Sequence, residues 1–258
     1  MARLPRLYAP RIPQLAQARF ARPLAPADAP APGAALDRIA SWLAEEARAS
    51  ARPTGVSPSG PSYPTAGQAT PPGTGTGMAA VAIHAWAILP DRITLLATPG
   101  DAQSLPRLMQ ALGRRMGSGL LRTRVYAGRY HNALLEPGRW VLPAMIWVES
   151  LATETGHVAT AIQWPWSSAA EHAGQAANAA GWLLDHPDYW REGDTPFARQ
   201  AAWRKRLAAG LSEPQGLQIE AALHGQWALG EKIFLTHLGR LASRRVSPAP
   251  RGRPRKAG

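Results

Sequence analysis

Two apolar runs joined by a proline turn constrain this chain more than any other feature. Residues 78–89, MAAVAIHAWAIL, are almost wholly apolar and β-leaning, the pattern of a strand buried on both faces. Pro90 and Asp91 turn the chain, and residues 92–98 return as a second strand. The unit predicted is a hairpin at the centre of a sheet. On the returning strand, Ile93, Leu95 and Ala97 share one face while Arg92, Thr94 and Leu96 share the other. The first face is core. The second carries an arginine and a threonine at the spacing two metal ligands would need.

The rest of the chain supplies partners for that hairpin. Residues 14–20 predict a short first strand, and Leu36, Ile39, Leu43 and Ala47 recur at helical spacing. Residues 53–77 are a Pro/Gly/Ser/Thr insertion not expected to pack. Residues 104–116 predict a helix with Ser104 as N-cap and Leu105, Leu108, Leu112 and Met116 on its apolar face. Residues 124–135 predict another strand. Residues 139–151 predict a helix that Pro143 should kink. A packed turn leading to a helix is expected at 164–174, and helices at 197–209 and across 215–245. Strand, helix, strand, strand, helix, strand, helix describes an α+β fold of the ferredoxin-like kind. The organisation expected is an α+β domain over 1–175, a helical extension over 176–245 and a basic tail over 246–258.

Composition narrows the function. The 258 residues contain no cysteine, which excludes disulfide frameworks and thiolate zinc sites. No run of about twenty apolar residues predicts a membrane span, and the basic start lacks a signal peptide's apolar stretch. A cytoplasmic, nucleoid-associated protein is expected. The net charge of +12 is concentrated. Residues 1–24 hold five arginines, residues 105–131 six, and residues 239–258 six arginines and a lysine, all without an acid. Those stretches hold 18 of the 29 basic residues, as expected for a surface that tracks phosphates. A GC-rich coding sequence would explain the choice of arginine over lysine, but not the acid-free blocks.

Five blocks in order, HAWAILPDRITLLATP, LPRLMQALGRRM, AGRYHNALLEP, WVLPAMIWVE and WPWSSAAEHAG, resemble the REP-associated tyrosine transposases. These are a branch of the single-tyrosine insertion-sequence transposases in the HUH nuclease superfamily. MARLPRLY and RRVSPAPRGRPRK resemble the termini of that family. The resemblance implies a mechanism in which two histidines on one strand face hold Mg²⁺ or Mn²⁺ against a scissile phosphate. A tyrosine on the later helix attacks the phosphorus, and a polar residue one turn further on completes the metal site.

Position by position, the chemistry implied by the resemblance is missing. The two histidine positions fall on Arg92 and Thr94, the nucleophile on Trp147, the polar residue on Leu151, and an acid usually found before GRY on Ala127. A guanidinium has no lone pair for a metal, and an indole has no hydroxyl. Scaffold positions such as Leu89, Pro90, Leu95, Leu96, Gly128, Arg129, Tyr130, Trp166 and Ser167 remain. The expectation is a degenerate member with no cofactor. Arg92 either welcomes a phosphate where a metal once sat or merely ends a strand in solvent. Relocated chemistry would draw on Tyr126, Tyr130, His84 or His131. Tyr130 reads better as a packed ring, and His84 as a satisfied core histidine.

For DNA contact, the resemblance points to the helix and strand around GRR and GRY, where Arg107, Arg114, Arg115, Arg122, Arg124 and Arg129 fall. The alternative is a solvated helix face. Pro250, Arg251, Gly252, Arg253 and Pro254 match the core of an AT-hook. In that unit two arginines lie along a narrow A·T minor groove and glycine permits close approach. The expected partner is hairpin or A·T-rich DNA, with no membrane. The competing expectations are an active single-strand DNA transposase with relocated residues and a decayed remnant without a role.

Overall fold

The computed structural model describes residues 5–26, 31–51, 81–121, 124–176 and 181–248. The insertion 53–77, Arg122 and the AT-hook match at 250–254 lie outside them. Element order is β1 (Gln14–Arg19), α1 (Gly33–Ala51), β2 (Val81–Leu89), β3 (Arg92–Pro99), α2 (Ser104–Met116), β4 (His131–Leu135), α3 (Val141–Glu154), α4 (Ala169–His172), α5 (Pro187–Trp190), α6 (Pro196–Ala209), α7 (Glu213–Gly225), β5 (Ala228–Leu229) and α8 (Lys232–Leu241).

The sheet runs β2-β3-β1-β4-β5. β3 pairs antiparallel with both β1 and β2, so β1 and β2 run parallel with β3 between them. β4 pairs antiparallel with β1 on its other side. That is the split β-α-β arrangement of a ferredoxin-like α+β fold, extended by the parallel pair β4/β5. The α+β class predicted from the sequence is therefore the class observed.

Both sheet faces are covered. α1 and α2 pack on Ala16, Ala18, Ile88, Ile93, Leu95 and Ala97. α3 and α7 pack on Leu15, Ala85, Ala87, Leu89 and Leu96 on the other face, and α6 packs on α3. Segment 176–245 thus supplies Trp203, Ile219 and Leu223 to the same core and β5 to the same sheet.

The sheet centre is β1, not the β2/β3 hairpin, and β2 is the outer strand. It reads as buried because other chain segments satisfy its outer edge. Leu184 N–H donates to the Ile83 carbonyl (2.8 Å), Ile88 N–H to Trp166 (2.8 Å), and Ser168 N–H to Trp86 (3.0 Å). Trp86 N–H donates to Ser168 Oγ (3.1 Å). The WPWSS block is this edge cover. A register shift at Ile83/Ala85 makes His84 a bulge residue, with Nδ1 on the Leu184 carbonyl (2.7 Å) and Nε2 on Thr98 Oγ1 (2.9 Å). It is the satisfied core histidine expected.

Three local expectations are corrected. Ser104 is the first helical residue rather than the cap; Asp101 Oδ1 accepts from the backbone of Gln103 and Ser104, both at 2.7 Å. Pro143 is the third residue of an uninterrupted α3, within the first turn, where no intrahelical N–H is lost. The strand predicted over 124–135 is regular only from His131. Upstream, Tyr126 makes an isolated bridge with Phe20.

Candidate nucleic-acid interface

α2 turns its apolar stripe inward and leaves Arg107 and Arg114 exposed. Beside it runs the irregular segment 124–130, held by local bonds. Arg124 donates to the carbonyls of Tyr126 (2.9 Å) and Ala127 (2.6 Å). Tyr126 packs its ring over Gly113, where a Cβ would lie 2.8 Å from ring carbon Cε2, and donates its hydroxyl to the Met109 carbonyl (3.2 Å). Glycine is needed there for close approach, not for an unusual backbone angle.

Between α2 and this segment lies a cavity of about 510 Å³. Arg6, Arg114, Arg124 and Arg129 line it, together with an apolar floor that includes Ala18, Pro106, Met109 and Val125; among the described residues none that lines it is acidic. Arg6 stacks on the Tyr130 ring at 4.1 Å from the centroid. Burial disfavours its charged form and lowers its pKa; Tyr130 works against that shift and Arg129 with it. Burial pushes the Tyr130 phenol up to about 12 and the Tyr126 phenol higher still.

The structure thus brings Arg114, Arg124 and Arg129 around one cavity, with Arg107 exposed on the same helix. Arg115 turns elsewhere, pairing with Glu45 and, through Nε at 2.8 Å, with Glu46 on α1. Arg6 was not singled out from sequence. Its only signal was membership of the acid-free block 1–24.

The opposite sheet face carries the positions where the resemblance would put catalysis. It is closed rather than open. Thr94 is fully buried, and its Oγ1 accepts from Gln17 Nε2 at 3.1 Å. Arg92 folds back on Asp91 in a forked ion pair (Nε to Oδ1 2.9 Å, Nη2 to Oδ2 2.7 Å). Leu151 is buried and Trp147 half-buried against the α3 side of the core. These side chains do not fit a divalent cation: one brings a positive charge, and the other's oxygen is already hydrogen-bonded. Among the described residues, no three His, Asp or Glu side chains are grouped to hold a metal ion. His131 lies in register with Gln17, its ring 6.0 Å from that of His224.

Behind α3 is a buried polar cluster that sequence reasoning missed. Glu149 is fully buried. Its Oε1 accepts from Ser168 Oγ (2.6 Å) and His172 Nδ1 (2.5 Å), and its Oε2 from Trp203 Nε1 (2.8 Å). Tyr189 donates its hydroxyl to the His172 carbonyl (2.8 Å). The cluster fastens α4, α5 and α6 to α3.

No family model matches the chain, and no curated protein matches it. Among solved structures it is similar to a REP-associated tyrosine transposase bound to a REP hairpin. The two are 12% identical over 72% of this chain and 93% of that one, with a TM-score of 0.46. No helix among the described residues is long and apolar enough to cross a membrane.

Proposed function

We propose that this protein is a transposase-like DNA-binding protein that recognises hairpin or palindromic repeat DNA and has lost the metal ligands and nucleophilic tyrosine of the transposase family. The observation that carries the reading is the cavity between α2 and segment 124–130, walled among the described residues by four arginines and no carboxylate. Guanidinium groups suit phosphate because they are permanently charged and donate in a fork. The AT-hook match would add a minor-groove contact, and a nucleoid location in the cytoplasm follows from such a role.

Loss of cleavage is supported by the closed face at Thr94 and by the state of the two candidate phenols, Tyr126 and Tyr130. The Tyr126 hydroxyl is engaged with a backbone carbonyl. Burial raises the pKa of both the Tyr126 and Tyr130 phenols, which disfavours the nucleophilic phenolate still further. The test is a labelled DNA hairpin titrated with protein, with and without Mn²⁺. Binding without strand cleavage or a covalent adduct is expected. Cleavage that Tyr126→Phe or Tyr130→Phe abolishes would establish relocated chemistry instead, and no affinity for hairpin or A·T-rich duplex would leave a remnant without a DNA role.

A further inference from the structure

We infer that the cavity beside Arg6 is a nucleoside-phosphate site, with Arg6 as the phosphate anchor and the apolar floor receiving the base. This deepens the DNA-binding reading and rests on it. The cavity is about 510 Å³, which is the size range of small-molecule sites and far more than a bare phosphate fills. Its walls divide into two chemistries. Ala18, Pro106, Met109 and Val125 offer an apolar surface, while Arg6, Arg114, Arg124 and Arg129 supply cationic groups. A ligand that matches both has a flat apolar part and an anionic part. Among the described lining residues there is no carboxylate to pair with a cationic ligand.

Arg6 is the group that singles out the anion's position. Its guanidinium is pinned on Tyr130 by a cation–π contact, and its Nε is buried with no hydrogen-bond acceptor. A buried donor without an acceptor is costly, and an oxyanion entering beside Arg6 relieves that cost. The backbone around it is fixed. Ser243 Oγ donates to the Arg6 carbonyl (2.9 Å) and accepts from Tyr8 N–H (3.0 Å), and Asn132 Nδ2 donates to the Leu7 carbonyl (2.8 Å). Arg6 also borders an adjoining cavity of about 270 Å³ that Ser243 lines. The anchor is thus held in place before ligand arrives, which reduces the ordering cost of binding.

The test uses the full chain and calorimetric titration with dAMP, deoxyadenosine and inorganic phosphate, alongside anisotropy with a hairpin oligonucleotide. dAMP should bind more tightly than deoxyadenosine or phosphate. Arg6→Gln should weaken dAMP at least about tenfold, the effect of losing a charge-assisted hydrogen bond, with Arg6→Lys intermediate because it lacks the fork. Gly113→Ala keeps every charge but drives the Tyr126 ring from its seat, and should also weaken dAMP. If dAMP binds no better than phosphate, or if Arg6→Gln binds it as the parent does, the proposal is overturned. Displacement of dAMP by the hairpin identifies the occupant as a unit of DNA, and co-binding of both identifies it as a free nucleotide; either supports the site. Hairpin binding without dAMP binding overturns this site and leaves the DNA-binding reading standing, whereas loss of both overturns each.

Discussion

His84 and His172 are both buried, yet their surroundings push them in opposite directions. Burial is the largest influence on His84 and lowers its pKa to about 3, helped by the neighbouring His186. Its two partners, a backbone carbonyl and a threonine hydroxyl, suit a neutral ring that donates from Nδ1 and accepts at Nε2. For His172 burial again opposes the charge, but attraction and hydrogen bonding from Glu149, with Asp185 and Glu171 behind, outweigh it and raise the pKa. The consequences for stability have opposite signs. Below about pH 6.5 the unfolded chain protonates residue 84 while the folded chain does not until about pH 3. The fold therefore loses roughly 1.4 kcal/mol per pH unit from this group across that window. The His172 contribution is fully present below the unfolded pKa and is lost as pH rises through the folded value. Denaturant titrations from pH 7 to 4 should show the acid loss, and His84→Gln should flatten it. Glu149→Ala would strand the buried His172 and the Trp203 N–H. The expected cost is about 3–5 kcal/mol, read from the urea midpoint at constant slope.

Strand β2 is a sheet edge closed by non-strand backbone, and the closure turns on Ser168. Its hydroxyl accepts from Trp86 N–H and donates to Glu149, so one side chain joins the sheet edge to the cluster behind α3. Ser168→Ala leaves the Trp86 amide without an acceptor. The expected loss is about 1–3 kcal/mol, with faster hydrogen exchange at Trp86 than at β1 amides. This device also marks where sequence reasoning stops. The apolar run 81–89 shows that β2 is buried, but an apolar run does not say whether the cover is another strand or a loop. That choice depends on residues 166–168 and 183–184, about 80 to 100 positions away. The α2 stripe was legible because Leu105, Leu108, Leu112 and Met116 are local and periodic, and all are buried as expected. The helical cap was not, because Asp101 reaches it from outside the helix pattern. Arg124 and Arg129 were legible as charge, whereas their gathering with Arg6 around one cavity depends on the tertiary placement of residues 5–10.

At the scale of the whole molecule, charge without placement says only that a polyanion is attracted. The net +12 promises steering and non-specific affinity; a specific surface requires that some arginines matter and others do not. The fold makes that distinction on α2 itself. Arg107 and Arg114 project from the helix into solvent, Arg114 onto the cavity, while Arg115 lies against Glu45 and Glu46 of α1. Three substitutions remove the same formal charge from one helix and should therefore differ. If Arg107 and Arg114 each neutralise one phosphate, Arg107→Gln and Arg114→Gln should each reduce the slope of log K against log salt by about 0.9 on duplex hairpin DNA. Arg115→Gln should leave that slope unchanged within error, because its guanidinium is already engaged with two carboxylates. Removing it frees Glu45 and Glu46, so absolute affinity at low salt should fall slightly through repulsion of the phosphates. Measuring all three slopes between 50 and 200 mM salt separates a surface with registered phosphate contacts from a diffuse cationic field. In a diffuse field the three variants would be indistinguishable, since each changes the net charge by the same unit.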